Sequence, residues 1–95
     1  MAFVIRTKSQ FRKDLKKAAT NPRYKKGLPI LKTLIDEHLI ETGTVPYQYK
    51  PHPLMGNWKP HWECHVLPDF LLIWRVDVEN NEIILARLGS HSELF

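Results

Sequence analysis

Ninety-five residues, 43% apolar and 25% charged, point to one globular domain with no room for a second core. No apolar run approaches the roughly 20 residues that span a membrane, and Met1-Ala2-Phe3-Val4-Ile5-Arg6 lacks the pattern of a signal peptide. Cys64 is the single cysteine, so no internal disulfide forms and a reducing cytoplasm is the expected compartment. The net charge of +4 hides an asymmetry: residues 1–32 hold ten Lys or Arg against one acid, Asp14, and residues 33–95 hold four against nine. Such a block suits a polyanion or an acidic partner, or equally a solvated helix face.

Phe3-Val4-Ile5-Arg6 reads as a first strand. Thr7-Lys8-Ser9-Gln10 has the form of a capping box, with Thr7 as the cap. Phe11, Leu15, Ala18 and Ala19 then recur at helical spacing beneath a basic outer face of Arg12, Lys13, Lys16 and Lys17. Asn21-Pro22 stops that helix. Leu28, Leu31, Leu34, Ile35 and Leu39 form a second apolar stripe ending at Gly43, and Pro29 requires that the helix either kinks or begins there. Residues 44–55 carry three prolines and read as an extended loop. Three strands follow, at about Trp58 to Val66, Phe70 to Val76 and Glu82 to Leu88. Turn residues Pro68-Asp69 and Glu79-Asn80-Asn81 separate them. The fold class expected is α+β, in the order β-α-α-β-β-β. It comprises one domain over residues 1–95, with a four-stranded, mainly antiparallel sheet and helices on one face.

Side chains alternate across a strand, so Trp58, Trp62, Cys64 and Val66 share the packed parity, and Lys59, His61, Glu63 and His65 the outward one. In the last strand Ile84, Ala86 and Leu88 are expected under the helices, which leaves Arg87 on the uncovered face. His52, Asp69 and His91 fall at strand ends, from which they converge on that face. Histidines beside an arginine suit RNA cleavage. The 2′-hydroxyl must lose a proton, the leaving 5′-oxygen must gain one, and the phosphate needs a cation. No metal or other cofactor is required if these groups are in place.

Blander readings compete. His38 sits near a helix end and answers the helix dipole. Trp58, Trp62 and Trp74 are packing residues before they are stacking platforms. His61, Cys64, His65 and His91 are the right residue types for zinc, but adjacent Cys64 and His65 point to opposite faces of a strand. From spacing alone a nuclease is only modestly ahead of a basic binding domain.

The second half carries more specific signals: His52-Pro53-Leu54-Met55-Gly56-Asn57-Trp58-Lys59, Glu63-Cys64-His65-Val66, Pro68-Asp69-Phe70-Leu71-Leu72-Ile73-Trp74-Arg75, and the tail from Arg87 to Phe95. Together these resemble the YafQ branch of the RelE/ParE superfamily, the toxins of bacterial type II toxin–antitoxin systems. The similarity runs over essentially the whole chain.

The resemblance implies a ribosome-dependent mRNA interferase that cuts codons in the ribosomal A site, against rRNA, and is silenced by a cognate antitoxin. It implies catalytic positions at His52, His65, Asp69 and His91, with Arg87 on the phosphate. His91 is the expected general acid, with His65 and Asp69 on the base side. Phe95 falls where the family stacks a terminal aromatic on a base, and Lys59, Lys13, Lys16 and Lys17 are the expected substrate-binding cations. Pro60, His61-Trp62 and Pro51 depart from the family pattern, which bears on codon preference and the RNA path. A gyrase-poisoning toxin of the same superfamily is an alternative, as is a non-enzymatic RNA-binding domain. Neither accounts for the histidine set.

Overall fold

A computed structural model describes residues 2–95. The chain runs β1 (Val4–Thr7), α1 (Ser9–Ala19), α2 (Gly27–Thr33), α3 (Ile40–Thr42), β2 (His52–Pro53), β3 (Trp62–Leu67), β4 (Phe70–Asp77), β5 (Glu82–Gly89) and α4 (His91–Leu94). The residues form one sheet in the order β1-β5-β4-β3-β2. β1 runs parallel to β5, and all other neighbours are antiparallel. The expected α+β architecture holds, with five strands in place of four. The additional strand is β2, two residues within the proline-rich stretch, where His52 pairs with Glu63 and Pro53 with Trp62. A proline has no N–H to donate, so such a segment is confined to a sheet edge, where β2 lies.

The helical stripes predicted from spacing lie on one face of the sheet, and Phe11, Ala18, Leu31, Leu34 and Leu39 join Cys64, Phe70, Leu72, Trp74, Ile83 and Leu85 in the main core. Pro29 falls in the first turn of α2, where a missing N–H costs no helical bond, so the helix begins there instead of kinking. Leu34–Leu39 continue from α2 as a π-helical stretch and run directly into α3. Gly43 ends it with φ 79°, a left-handed conformation that other residues adopt at a cost. Gly27 is required for a different reason. A β-carbon there would lie 2.8 Å from the Phe70 ring, so only glycine allows α2 this close to β4.

Several local expectations change. Thr7 does not cap α1: the N-cap is Lys8, with no side-chain cap. Thr7 is the last residue of β1, and its hydroxyl accepts from Arg12 Nη1 at 2.9 Å. The strand expected from Trp58 starts at Trp62. Gly56–Trp58 form a 3₁₀ turn, and Pro60, with no N–H for a ladder, lies outside the strand. In β5 the inward residues are Ile83, Leu85 and Leu88, not Ile84, Ala86 and Leu88. The cause is a bulge. Ile73 pairs with Arg87 and Trp74 with Leu85, leaving Ala86 without a partner and reversing the alternation.

The face expected to be open is half covered. Leu71, Ile73, Ala86 and Leu94 form a second buried cluster, over which Leu54 and Trp58 pack. Trp58 is thus on the opposite side of the sheet from Trp62, against the parity reading, because it precedes the strand. Beyond Leu85 the edge of β5 has no strand beside it, and α1 supplies a substitute. Asp14 Oδ2 accepts from the Leu88 N–H at 3.0 Å and from Arg87 Nε at 2.8 Å. Asp14→Ala leaves both donors without their partner and should destabilise the fold by about 1–3 kcal/mol. Urea denaturation checks this, and an unchanged midpoint would remove Asp14 from the edge-pairing role.

Candidate active site

The tight turn between β3 and β4 is set by Pro68-Asp69, with Leu67 paired to Phe70 across it. A register shift between His65 and Leu67 lets Val66 and Leu67 both pack toward the main core just before the turn. This holds His65 on the second face while Asp69 sits at the corner. From β5, Gly89 pairs with Leu71 beside that corner and delivers Ser90 and His91 to it. Ser90 caps α4 through a complete capping box with Glu93. Topology alone therefore brings residues 52, 65, 69 and 91 together.

His91 is clamped twice by one carboxylate oxygen. Asp69 Oδ1 accepts from the His91 backbone N–H at 3.0 Å and lies 2.9 Å from His91 Nδ1. A carboxylate only accepts, so Nδ1 carries a proton and Nε2 is left for other work. The bonds from His91, backbone first and side chain second, hold the Asp69 carboxyl below the ordinary carboxylate range. Asp69 was expected on the base side with His65; its hydrogen bonds run to His91 instead. His65 is oriented by a carbonyl instead, with Nδ1 3.2 Å from Pro68 O. The His65 and His91 rings lie 5.7 Å apart by centroid, and those of His65 and His52 6.3 Å apart.

At the centre lies a group that reading by residue type passed over. Glu63 is 4% exposed, and its Oε1 is 3.3 Å from His52 Nε2 and 3.8 Å from His65 Nε2. The sequence signal was present, since Glu63 shares the outward parity of His65. Burial on that face was not legible, because its cover comes from elsewhere in the chain. His52 Nδ1 is 3.0 Å from Lys50 O, so each of these two imidazoles holds a carbonyl with one nitrogen and faces Glu63 with the other.

Arg87 stands opposite Ile73, which stands opposite Glu63, so one strand separates the guanidinium's residue from the carboxylate's. Arg87 is engaged by Asp14 through Nε at 2.8 Å and Nη2 at 3.4 Å. The exposed Phe95 ring meets Trp58 edge-on at 5.5 Å and lies 6.4 Å from the His91 ring. His61 meets the Trp58 ring edge-on at 5.8 Å, with its Nδ1 2.6 Å from Trp58 O. Lys59, Lys13, Lys16 and Lys17 are exposed; Lys17 pairs with Glu93 at 3.4 Å. Cys64 is buried in the main core, where desolvation pushes its thiol up to about 12. This removes it from the zinc set considered above. A different set fits a metal ion: Glu63, His65 and His91 each offer one ligand atom, all within 4.8 Å of one another. One carboxylate and two imidazoles suit zinc or copper.

A family model described as the bacterial toxin of type II toxin–antitoxin system, YafQ, matches residues 3–95. This chain belongs to the YafQ toxin family. The mRNA interferase toxin YafQ of Escherichia coli K12 is 34% identical over 91 residues, covering 96% of this chain and 94% of that one. YafQ in the E. coli DinJ–YafQ toxin–antitoxin complex superposes with a TM-score of 0.79 at 33% identity, over 100% of this chain and 99% of that one. A metal-bound toxin from Helicobacter pylori gives 0.76 at 39% identity, over 98% and 99%.

The depressed Asp69 carboxyl has a consequence for stability. A group with a lowered folded-state pKa contributes stability that is present above its unfolded value and lost as pH falls through the folded value. Asp69→Asn should therefore be less stable than the parent near pH 6, and the difference should shrink below about pH 3.9, the ordinary value for Asp. Denaturant midpoints of both proteins across that window test this. A difference that stays constant with pH would mean that the Asp69–His91 pair contributes nothing through ionisation.

Proposed function

We propose that this YafQ-family toxin is a ribosome-dependent endoribonuclease, cutting mRNA by acid–base catalysis without a metal and neutralised by a cognate antitoxin. The observation that carries the reading is the pairing of His91 with Asp69 beside a separate His65–Glu63–His52 group. One cleavage needs two proton transfers at different oxygens, and two distinct groups are available for them. His91 acts as the acid. Asp69 holds Nδ1–H and fixes the orientation of the ring, so Nε2 delivers the proton to the leaving 5′-oxygen. His65, with Nδ1 held by the Pro68 carbonyl, takes the proton of the 2′-hydroxyl on Nε2, the nitrogen beside the Glu63 carboxylate that His52 also faces. Arg87 balances the developing phosphate charge, and in doing so exchanges part of its contact with Asp14 for the phosphate. Phe95 stacks on a base. Lys59, Lys13 and Lys16 supply the charge that draws in RNA.

Ribosome dependence is supported by how little of this surface grips a nucleotide. His91, Asp69, His52 and Phe95 are exposed, so in-line geometry must be imposed on the RNA by whatever presents it. A codon held in the ribosomal A site is presented in that way. The E. coli relative is named an mRNA interferase and is known in complex with DinJ, which supports both the activity and the antitoxin. His91→Ala should lower cleavage of translated mRNA by about 10²–10⁴-fold with ribosome binding nearly unchanged. Naked RNA should be cut far more slowly than translated message. Equal rates on both would replace this reading with a free-standing ribonuclease.

The Glu63–His65–His91 triad gives the metal question a definite form. An ion held there takes the lone pairs that the proton transfers need. Cleavage should therefore withstand EDTA and should be inhibited by added zinc or copper, with EDTA restoring it. Loss of activity in chelator, recovered with zinc, would make the ion part of the machinery.

A further inference from the structure

His91 lies in α4, a helix of four residues, far too short to hold itself in place. Asp69 secures one side of it. The other side is secured from α1 and from the connection to α2, regions with no assigned part in the chemistry. Glu93 Oε1 accepts from the Ser90 N–H at 2.8 Å and from the Tyr24 hydroxyl at 3.1 Å, and Oε2 lies 3.4 Å from Lys17 Nζ. Tyr24 is buried, and its ring stacks on Phe70 at 4.6 Å between centroids and 10° between planes. Phe70 directly follows Asp69, and Glu93 lies two residues beyond His91. One tyrosine thus touches both sides of the His91–Asp69 pair, by its ring face on one and its hydroxyl on the other.

We propose that Tyr24 and Glu93 are positioning residues for His91, a latch that fixes α4 against the β3–β4 turn and so keeps the imidazole on Asp69. The role differs from simple helix capping. Ser90 Oγ already accepts from the Glu93 N–H, and Glu93 reaches back to the Ser90 N–H without help from Tyr24. The tyrosine hydroxyl adds no bond internal to α4; it ties the cap to another part of the chain. Gly89 is part of the arrangement, since a β-carbon there would lie 3.0 Å from Glu93 Oε1.

The inference rests on the proposed role of His91, and its test is chosen to stand apart from that role. In the whole protein, hydrogen exchange of the His91 backbone N–H, which donates to Asp69, is followed by NMR in the parent, Tyr24→Phe, Glu93→Ala and Glu93→Gln, together with kcat and KM on translated mRNA. Tyr24→Phe keeps the ring stack and loses only the hydroxyl. It should speed that exchange about 10-fold and lower kcat on the order of 10- to 100-fold, with KM little changed. Glu93→Ala should do the same more strongly. Glu93→Gln keeps an acceptor oxygen for Ser90 and Tyr24 and should retain most of the activity and the slow exchange. An exchange rate and a kcat equal to the parent's in a folded Tyr24→Phe protein would overturn the latch. A parent protein that fails to cut translated mRNA would sink the proposed function instead, and the exchange rates would still decide the latch.

Discussion

The structure depends on the burial of β4 from both sides. Phe70 to Trp74 are five consecutive residues with 0% exposure, alternating between the helix-covered core and the cluster on the opposite face. Burying a large apolar side chain contributes roughly 1.5–3 kcal/mol, and a slip of one residue would exchange the two faces of the strand. Phe70 and Trp74 fill one side, where Gly27 and the Gly43 carbonyl meet them, and Leu71 and Ile73 fill the other. The register is thereby set against both neighbours. β3 follows on one side with Glu63 and His65. β5 follows on the other with Arg87 and the turn into His91. The site is a by-product of packing: its members are carried by strands whose alignment is decided by residues that take no part in the chemistry.

Charge is handled in a similar way. The basic block of residues 1–32 is partly neutralised by acids distant in sequence: Arg6 by Glu82, Lys17 by Glu93 and Arg23, at the 4.0 Å limit, by Asp69. Exposed pairs of this kind add little to stability, about 0–1 kcal/mol at most. Their effect is geometric, because two of the three reach the corner where His91 meets Asp69. The Arg87–Asp14 pair is less exposed and also satisfies the edge of β5, so the one candidate phosphate ligand on a strand is held by α1. Charge counted along the chain described a basic half. In the fold, the acidic half threads into it.

Much of the site was legible in residue types and spacing. His52, His65, Asp69 and His91 meet because strand ends and a two-residue turn bring them together, and turn chemistry at Pro68-Asp69 was plain in the residues. The identity of the partners was not. Asp69 was expected on the base side with His65 and is bonded to His91, since α4 folds back over the corner and sets the His91 backbone N–H and ring against its carboxylate. Glu63 was hidden for another reason. Its burial depends on neighbours supplied from other parts of the chain, including Leu54, Trp58 and Leu94 on the same face, and alternation within one strand carries no record of them.

What the sequence by itself determined is what depends on local periodicity and turn propensity: two helices with an apolar stripe, a meander of strands, the stop at Gly43, and one helix face rich in lysine. These follow from contacts between residues a few positions apart. Only the tertiary structure decided the parallel pairing of β1 with β5, the edge strand at His52–Pro53, the bulge at Ala86 and the bonds from Asp14, Glu63 and Glu93. Asp14 reaches Leu88 and Tyr24 reaches Glu93 across about seventy residues of chain, so no local preference selects them. They arise because a buried edge or carboxylate must find a partner, and which partner is near enough is known only once the core has set the register.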